Sequence, residues 1–289
     1  MIYEGDVYRP PSEAESLIIQ LTIGCARNTC TFCTMYKRKQ FRVRKTSEVL
    51  ADLQWAKEHY PYAFDRVFLA DGDALIVKTP DLITVLDAVY RLFPHVRRVT
   101  TYGAAKDVLQ KTPEELQLLR SHGLEMVYIG AESGSDKVLS DVAKGVTAAE
   151  TVEACLKLKD AGIKVSVTLI TGLGGQADTR EHAIGSAMLV TAAKPEYLGL
   201  LTLTLGAGAP LKQDFLDGKF KPLSPLEILE EQKLFLEHVD SEGTVLRSNH
   251  VSNYVALSGT LNQDRERMIA QLARTISIIR ANPDSHRRL

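Results

Sequence analysis

Apolar and polar positions alternate between two textures along the chain. Short runs rich in Val, Ile, Leu, Phe and Tyr occur at Leu17–Ile23, Arg66–Ala70, Arg97–Tyr102, Met126–Gly130, Lys164–Ile170 and Tyr197–Leu203, and they read as strands. Several are apolar at successive positions, as parallel strands covered by helices on both faces must be. Their starts lie roughly 30 to 50 residues apart, the length of a βα unit. Helical patterns with start signals separate them. Thr79-Pro80-Asp81 predicts a capping threonine, a proline at the first helical position and an acid in the first turn. Thr112-Pro113-Glu114-Glu115 repeats the device, with Gly123 as the stop. Thr147 with Glu150 predicts a capping box on a helix that ends at Gly162, and Ser224-Pro225 with Glu227 opens another helix. Leu82, Leu86, Val89 and Phe93 give one helix a core-facing stripe.

About six β-α repeats joined by right-handed crossovers predict an α/β fold on a parallel sheet, either a closed or partly closed barrel or a doubly wound layer. After Leu211 the character changes: a loop rich in Asp, Gly and Pro, a helix near Pro225–Val239, an extended piece Thr244–Ser248 and a helix near Asp264–Ala281. Asn282–Leu289 reads as a frayed end.

Length and charge narrow the classes. With 289 residues, the chain suits one large domain or two small ones. Lys plus Arg total 35 against 36 for Asp plus Glu, a net charge of −1, so a nucleic-acid substrate is not expected. The longest mainly apolar stretch, Tyr197–Leu211, has 15 residues broken by Gly and Thr, short of the ~20 that span a bilayer. Residues 1–20 carry Glu4, Asp6, Glu13 and Glu15 and no apolar core, so no signal peptide is read there. Three of the four cysteines fall within nine residues, which in a cytoplasmic chain reads as a metal or redox site and not as a disulfide framework.

Those cysteines follow the first strand directly, in Gly24-Cys25-Ala26-Arg27-Asn28-Thr29-Cys30-Thr31-Phe32-Cys33, with spacing C-x4-C-x2-C. The end of a strand is where β/α folds keep their chemistry. Structural zinc asks for four ligands and closure, and no fourth cysteine lies close. A [4Fe–4S] cluster held by three cysteines keeps one iron open to a small molecule. Two other readings stand beside this one: a non-catalytic zinc- or iron-binding regulatory module on a β/α scaffold, and buried cysteines that pack as small hydrophobes.

Cys25, Cys30, Cys33 and the aromatic Phe32 resemble the signature of the radical S-adenosylmethionine (SAM) enzymes, whose usual spacing is C-x3-C-x2-C, one residue shorter in the first gap. Further features follow in order from Ile18 to Leu211. Asp71-Gly72-Asp73 closes the second strand, where the family carries a Gly-Gly-Glu-like turn that meets the SAM amino group. Gly130-Ala131-Glu132-Ser133-Gly134-Ser135-Asp136 is similar to a family stretch whose polar groups meet the ribose, and Lys144 stands where relatives often carry a base facing the SAM carboxylate. Thr171-Gly172-Leu173-Gly174-Gly175 and Gly206–Leu211 match segments near the adenine.

The resemblance implies a partial parallel (β/α)6 TIM-like barrel over residues 1–211, with 212–289 as a C-terminal extension of the same domain on the substrate side. It implies a [4Fe–4S] cluster on Cys25, Cys30 and Cys33, and SAM held by Phe32, Asp71, Gly72, Asp73, Glu132, Ser133 and Lys144. Reductive cleavage of SAM would give a 5′-deoxyadenosyl radical that abstracts hydrogen from a small-molecule substrate, fed by a low-potential donor such as a flavodoxin or ferredoxin. Substrate contacts are expected from Tyr102, at the end of the third strand, and from Arg247, Asn249 and His250 in an unusually polar run. Only Cys155 lies outside the cysteine loop, so a second cysteine-held cluster is not expected.

Overall fold

The computed structural model describes residues 3–281; the expected frayed end, residues 282–289, lies outside them. Eight strands form a mostly parallel sheet whose last strand pairs antiparallel, and helices connect them. This is the α/β architecture expected from the alternating pattern. The chain divides into two compact units, residues 3–28, 35–129 and 156–165 in one, and 29–34, 130–155 and 166–281 in the other.

The first unit begins with β1 (Leu17–Gln20) and a two-residue antiparallel pair, β2 (Thr22–Ile23) with β3 (Arg42–Val43). The predicted continuous strand Leu17–Ile23 is therefore broken at Leu21, where the chain leaves β1 to pair with a segment twenty residues on. Helix α1 (Thr46–His59), β4 (Arg66–Ala70), α2 (Thr79–Leu92), β5 (Arg98–Tyr102), α3 (Ala105–Gln110), α4 (Pro113–Ser121) and β6 (Leu124–Glu132) follow. β1 pairs with β4, β4 with β5, and β5 with β6, all parallel. The core residues Phe68, Leu69, Val67 and Val99 have no solvent exposure, which is why both faces of these strands read as apolar. Phe68 meets the rings of Tyr102 and Tyr128 edge-on at 4.9 and 6.0 Å. Below them, buried Glu13 accepts from Arg98 Nη2 at 2.8 Å and from the Tyr128 hydroxyl at 2.5 Å. Burial and this carboxylate together hold the Tyr128 phenol well above its usual pKa.

Local start signals behave as their chemistry dictates. The capping box on α4 forms between Thr112 and Glu115. Thr79 is an exception. It lies inside α2, the capping position falls to Lys78, and the Thr79 hydroxyl donates instead to Glu115 Oε1 at 2.7 Å.

The second unit holds α5 (Asp136–Asp141), most of α6 (Ala148–Asp160) and β7 (Lys164–Thr171), then α7 (Gly175–Ala193), β8 (Tyr197–Thr202), α8 (Pro210–Leu216), α9 (Pro225–His238), β9 (Val245–Ser248), β10 (Leu257–Thr260) and α10 (Arg265–Ala281). The capping boxes Thr147/Glu150 and Ser224/Glu227 both form. Cys155 is buried in α6, as a packed core residue should be. The segment after Leu211 adds β9 in parallel beside β8, and β10 pairs antiparallel with β9. Replacing Phe68 by Ala removes a fully buried ring and leaves a cavity. The expected loss is about 3–5 kcal/mol of unfolding free energy, read from urea unfolding followed by far-UV circular dichroism.

Candidate active site

The cysteine loop begins in the first unit under the control of one carboxylate. Asp71, at the end of β4, has no solvent exposure. It accepts from the Gly24 backbone N–H at 3.0 Å, from Lys39 Nζ at 2.8 Å and from Gln20 Nε2 at 3.2 Å. A buried carboxylate needs such a set of donors to offset lost hydration. Asp71 therefore fixes the backbone immediately before Cys25, and its oxygens are occupied within the chain. Gly24 adopts φ +78°, a conformation glycine takes without strain. Gly72 lies against the same loop. A Cβ there would sit 2.5 Å from the Tyr36 ring and 3.1 Å from Cys25 Cβ, so only hydrogen fits. Tyr36 is buried and meets Tyr8 edge-on at 5.5 Å.

Asp73 completes the turn. It is fully buried, and Oδ1 accepts from the Ala104 N–H at 3.2 Å. Burial first, then a hydrogen bond with the neighbouring Asp107 carboxyl, raises its pKa far above the usual range. Asp107 accepts from Arg27, two residues past Cys25, at 3.1 Å. Tyr102 is half-buried beside Phe68 and Tyr128.

In the second unit, residues 29–34 carry the rest of the loop. Thr31 N–H donates to Val142 O at 2.9 Å, Leu211 N–H donates to Thr31 O at 3.0 Å, and the Thr29 hydroxyl donates to Ala143 O at 3.1 Å. Phe32 packs with Leu203, Leu205 and Phe220 against the buried cluster of Val138, Val142, Ile170, Leu173 and Leu211. The aromatic residue between Cys30 and Cys33 thus anchors the loop from below.

The end of β6 is built around Glu132. It holds φ +66°, unusual for a side-chain-bearing residue. Its Oε1 accepts from Lys144 Nζ at 2.9 Å, so the Lys144 charge is directed at the chain's own carboxylate. A side chain at Gly130 would collide with the Glu132 carboxylate. Ser133 is buried, and its hydroxyl accepts from the Ser135 N–H at 3.0 Å while bonding His182 Nδ1 at 2.8 Å. Both capacities are spent on holding the turn. His182 Nε2 in turn meets Ile170 O at 3.1 Å, and burial lowers its pKa to about 4. Neutral at pH 7, it donates through Nε2, so its 3.6 Å approach to Glu231 is not an ion pair. Glu231 accepts from the Gly172 N–H at 2.7 Å and from the Thr179 hydroxyl at 2.5 Å. These networks fix the ends of β6 and β7.

The polar run near residue 250 serves the backbone in large part. Ser252 Oγ accepts from Thr202 N–H at 3.1 Å, and Asn253 donates to Leu200 O at 2.7 Å and accepts from the Thr202 hydroxyl at 2.8 Å. His250 is half-buried, with Nδ1 bonded to Ser252 Oγ at 2.8 Å. Arg247 and Asn249 are exposed, and Arg247 bonds the carbonyl of Leu246.

The donor set suits an iron–sulfur cluster: Cys25, Cys30 and Cys33 are all partly exposed, on a loop tied down at both ends, and no disulfide links them. As the side chains stand, no group of three His, Cys, Asp or Glu residues among those described is gathered tightly enough to hold a metal ion. The family model of the Radical SAM superfamily matches residues 19–185. The chain belongs to the radical SAM superfamily. This radical SAM chain is 26% identical over 171 residues to a protein of Methanocaldococcus jannaschii named as a methylthiotransferase, covering 57% of the chain and 37% of that protein. It is 26% identical over 155 residues to the hopanoid C-3 methylase of Methylococcus capsulatus, covering 53% and 28%. The radical SAM chain thus spans well under half the length of either curated relative. Among solved structures, it is similar in fold to methylornithine synthase (TM-score 0.55, 19% identity, 91% of this chain and 81% of that one). It is similar likewise to coproporphyrinogen III oxidase of Escherichia coli, a radical SAM enzyme (TM-score 0.57, 17% identity, 77% and 52%).

The sequence does not single out Gln20, Lys39, Arg27 with Asp107, or Glu231, while His182 reads as structural and the buried network bears that out. Gln20 was the available signal, a single amide in an otherwise apolar strand.

Two outcomes follow from this geometry. Burial raises the Glu231 pKa from 4.5 to about 7. The folded state therefore favours the protonated form, and this group's contribution falls as pH rises from about 4.5 to about 7. His182 acts oppositely: its lowered pKa removes stability as pH falls from about 6.5 to about 4. Glu231→Gln should gain on wild type by up to about 3 kcal/mol between pH 4.5 and pH 8, read as the difference in unfolding free energy at each pH. Gly72→Ala must displace Tyr36 or Cys25, and iron retained after anaerobic reconstitution and desalting should drop below half of wild type.

Proposed function

We propose that this radical SAM enzyme holds its [4Fe–4S] cluster on Cys25, Cys30 and Cys33 and acts on a small molecule. A cluster held by Cys25, Cys30 and Cys33 would supply the electron for reductive cleavage of SAM, and so the hydrogen-abstracting chemistry, to the substrate. The observation that carries the reading is the cysteine loop itself: three partly exposed thiols within the span matched by the superfamily, on a loop whose ends are fixed by Asp71 and by Thr31 and Phe32.

The chain's own groups orient and shield. Asp71 sets the backbone before Cys25 and does not contact ligand. Gly72 gives close backbone approach, and Asp73 meets the SAM amino group. Glu132, held by Lys144 through Oε1, accepts from ribose hydroxyls. Ser133 acts through the turn it stabilises. Phe32 keeps the loop dry on its inner side. Tyr102 offers a ring to substrate, and Arg247, Asn249 and His250 offer polar groups suited to an anionic or amide-bearing molecule. The balanced charge favours a small substrate over RNA. Among the described residues no helix is long and apolar enough to cross a membrane, in keeping with a cytoplasmic enzyme served by a flavodoxin or ferredoxin.

Anaerobic reconstitution with iron, sulfide, SAM and dithionite tests the reading. Wild type is expected to release 5′-deoxyadenosine, and Cys30→Ala to lose brown colour and product together. Product release from Cys30→Ala, or stoichiometric zinc in place of iron, would overturn it.

A further inference from the structure

Past the third cysteine the chain enters a strongly basic stretch. Residues 37–45, Lys-Arg-Lys-Gln-Phe-Arg-Val-Arg-Lys, hold six cations and no acid. This stretch is bound in two places to the segment that carries Cys25. Lys37 Nζ donates to Asn28 O at 2.6 Å, and Asn28 Nδ2 donates to Tyr36 O at 2.9 Å. Further along, Arg42 in β3 pairs with Ile23 in β2, two residues before Cys25. The fold engages some of these charges: Lys39 meets buried Asp71 at 2.8 Å, Arg44 meets Asp52 at 2.7 Å, and Arg42 meets Glu4 at 2.6 Å. Arg38 and Lys45 are exposed, and no carboxylate among the described residues pairs with either. Lys45 works against local stability. It occupies the N-cap of α1, makes no capping bond, and sets a cation against the positive end of the helix dipole. Met35, just before the stretch, and Val43, within it, are exposed apolar side chains. Cations around small apolar contacts suit a brief, charge-steered encounter.

We propose that this basic face, led by Arg38 and Lys45, is the docking surface for an acidic one-electron donor protein of the flavodoxin or ferredoxin class. The docking role rests on the assignment of Cys25, Cys30 and Cys33 to the cluster. Reductive cleavage of SAM takes one electron for each sulfur–carbon bond broken, and the donor is oxidised by that one electron. Electron transfer weakens steeply with distance, so a donor must seat beside the cysteine loop, where the basic stretch is held. An RNA would ask for more phosphate contacts and for exposed rings on which bases stack. Here Tyr36 is buried, and Glu4 and Glu48 stand beside Arg42.

The reconstituted full chain is tested with an acidic flavodoxin and an acidic ferredoxin, each on its own, and with a labelled tRNA. Binding of each oxidised donor is read by isothermal titration calorimetry at low and high salt, with no turnover involved. Release of 5′-deoxyadenosine is read with the reduced donors and separately with dithionite, a small reductant that needs no docking surface. Arg38→Glu with Lys45→Glu reverses two surface charges. At low salt, affinity for the donor that drives wild type, and the rate at limiting donor, are both expected to fall about tenfold. The dithionite-driven rate should stay within about twofold of wild type, and high salt should bring wild type down towards the variant. Arg38→Lys with Lys45→Arg keeps both charges and should keep wild-type affinity. Donor affinity unchanged by the reversal, an equal loss with dithionite, or wild type that turns over with dithionite and with neither donor overturns the proposal. So does tRNA binding that the reversal abolishes while donor affinity stands. Wild type that releases no 5′-deoxyadenosine even with dithionite defeats instead the underlying cluster assignment.

Discussion

A carboxylate removed from water must find donors, and Asp71 finds them in three places: a strand amide side chain, a lysine brought back by the cysteine loop, and the backbone N–H of Gly24. Breaking such a buried ion pair from one side costs about 3–5 kcal/mol, so the geometry around Cys25 is specified by stability and not by ligation alone. Gln20 and Asp71 sit at the ends of adjacent parallel strands. The register pairs Gln20 with Ala70, which brings Asp71, the next residue, within reach of the Gln20 amide and so also places the first cysteine.

The second unit solves the same problem differently. Residues 29–34 are held by backbone bonds to Val142 and Leu211 and by the Phe32 ring packed into an apolar cluster. The strand ends on that side rest on a dry polar network, Ser133 to His182 to Ile170 and Glu231 to Gly172. Loops that present reactive groups expose their tips and bury their supports, and the supports here are charged or hydrogen-bonded groups that an apolar core would not require.

Much of the fold is legible because its determinants are local. The capping boxes at Thr112, Thr147 and Ser224 form since each needs only residues three positions apart. Thr79 escapes that logic because Glu115, thirty-six residues away, competes for its hydroxyl. The break at Leu21 depends on the pairing of Thr22 and Ile23 with β3, a contact distant in sequence that periodicity does not encode. At the site, the readings of Asp73 and Glu132 come from the family resemblance, whereas the three cysteines Cys25, Cys30 and Cys33 announce a metal or redox reading by their spacing. The roles of Asp71 and Ser133 as supports do not, since a carboxylate or hydroxyl aimed at a ligand and one aimed at a backbone N–H look alike in sequence.

The proposed chemistry of this chain centres on a four-iron cluster fixed by three sulfurs, with its last iron kept for SAM. Mössbauer spectroscopy of protein reconstituted with isotopically enriched iron addresses that directly. About four irons per chain are expected, and adding SAM should alter the signal of one while leaving the others in place. A spectrum indifferent to SAM, or a chain that takes up no cluster, would contradict it.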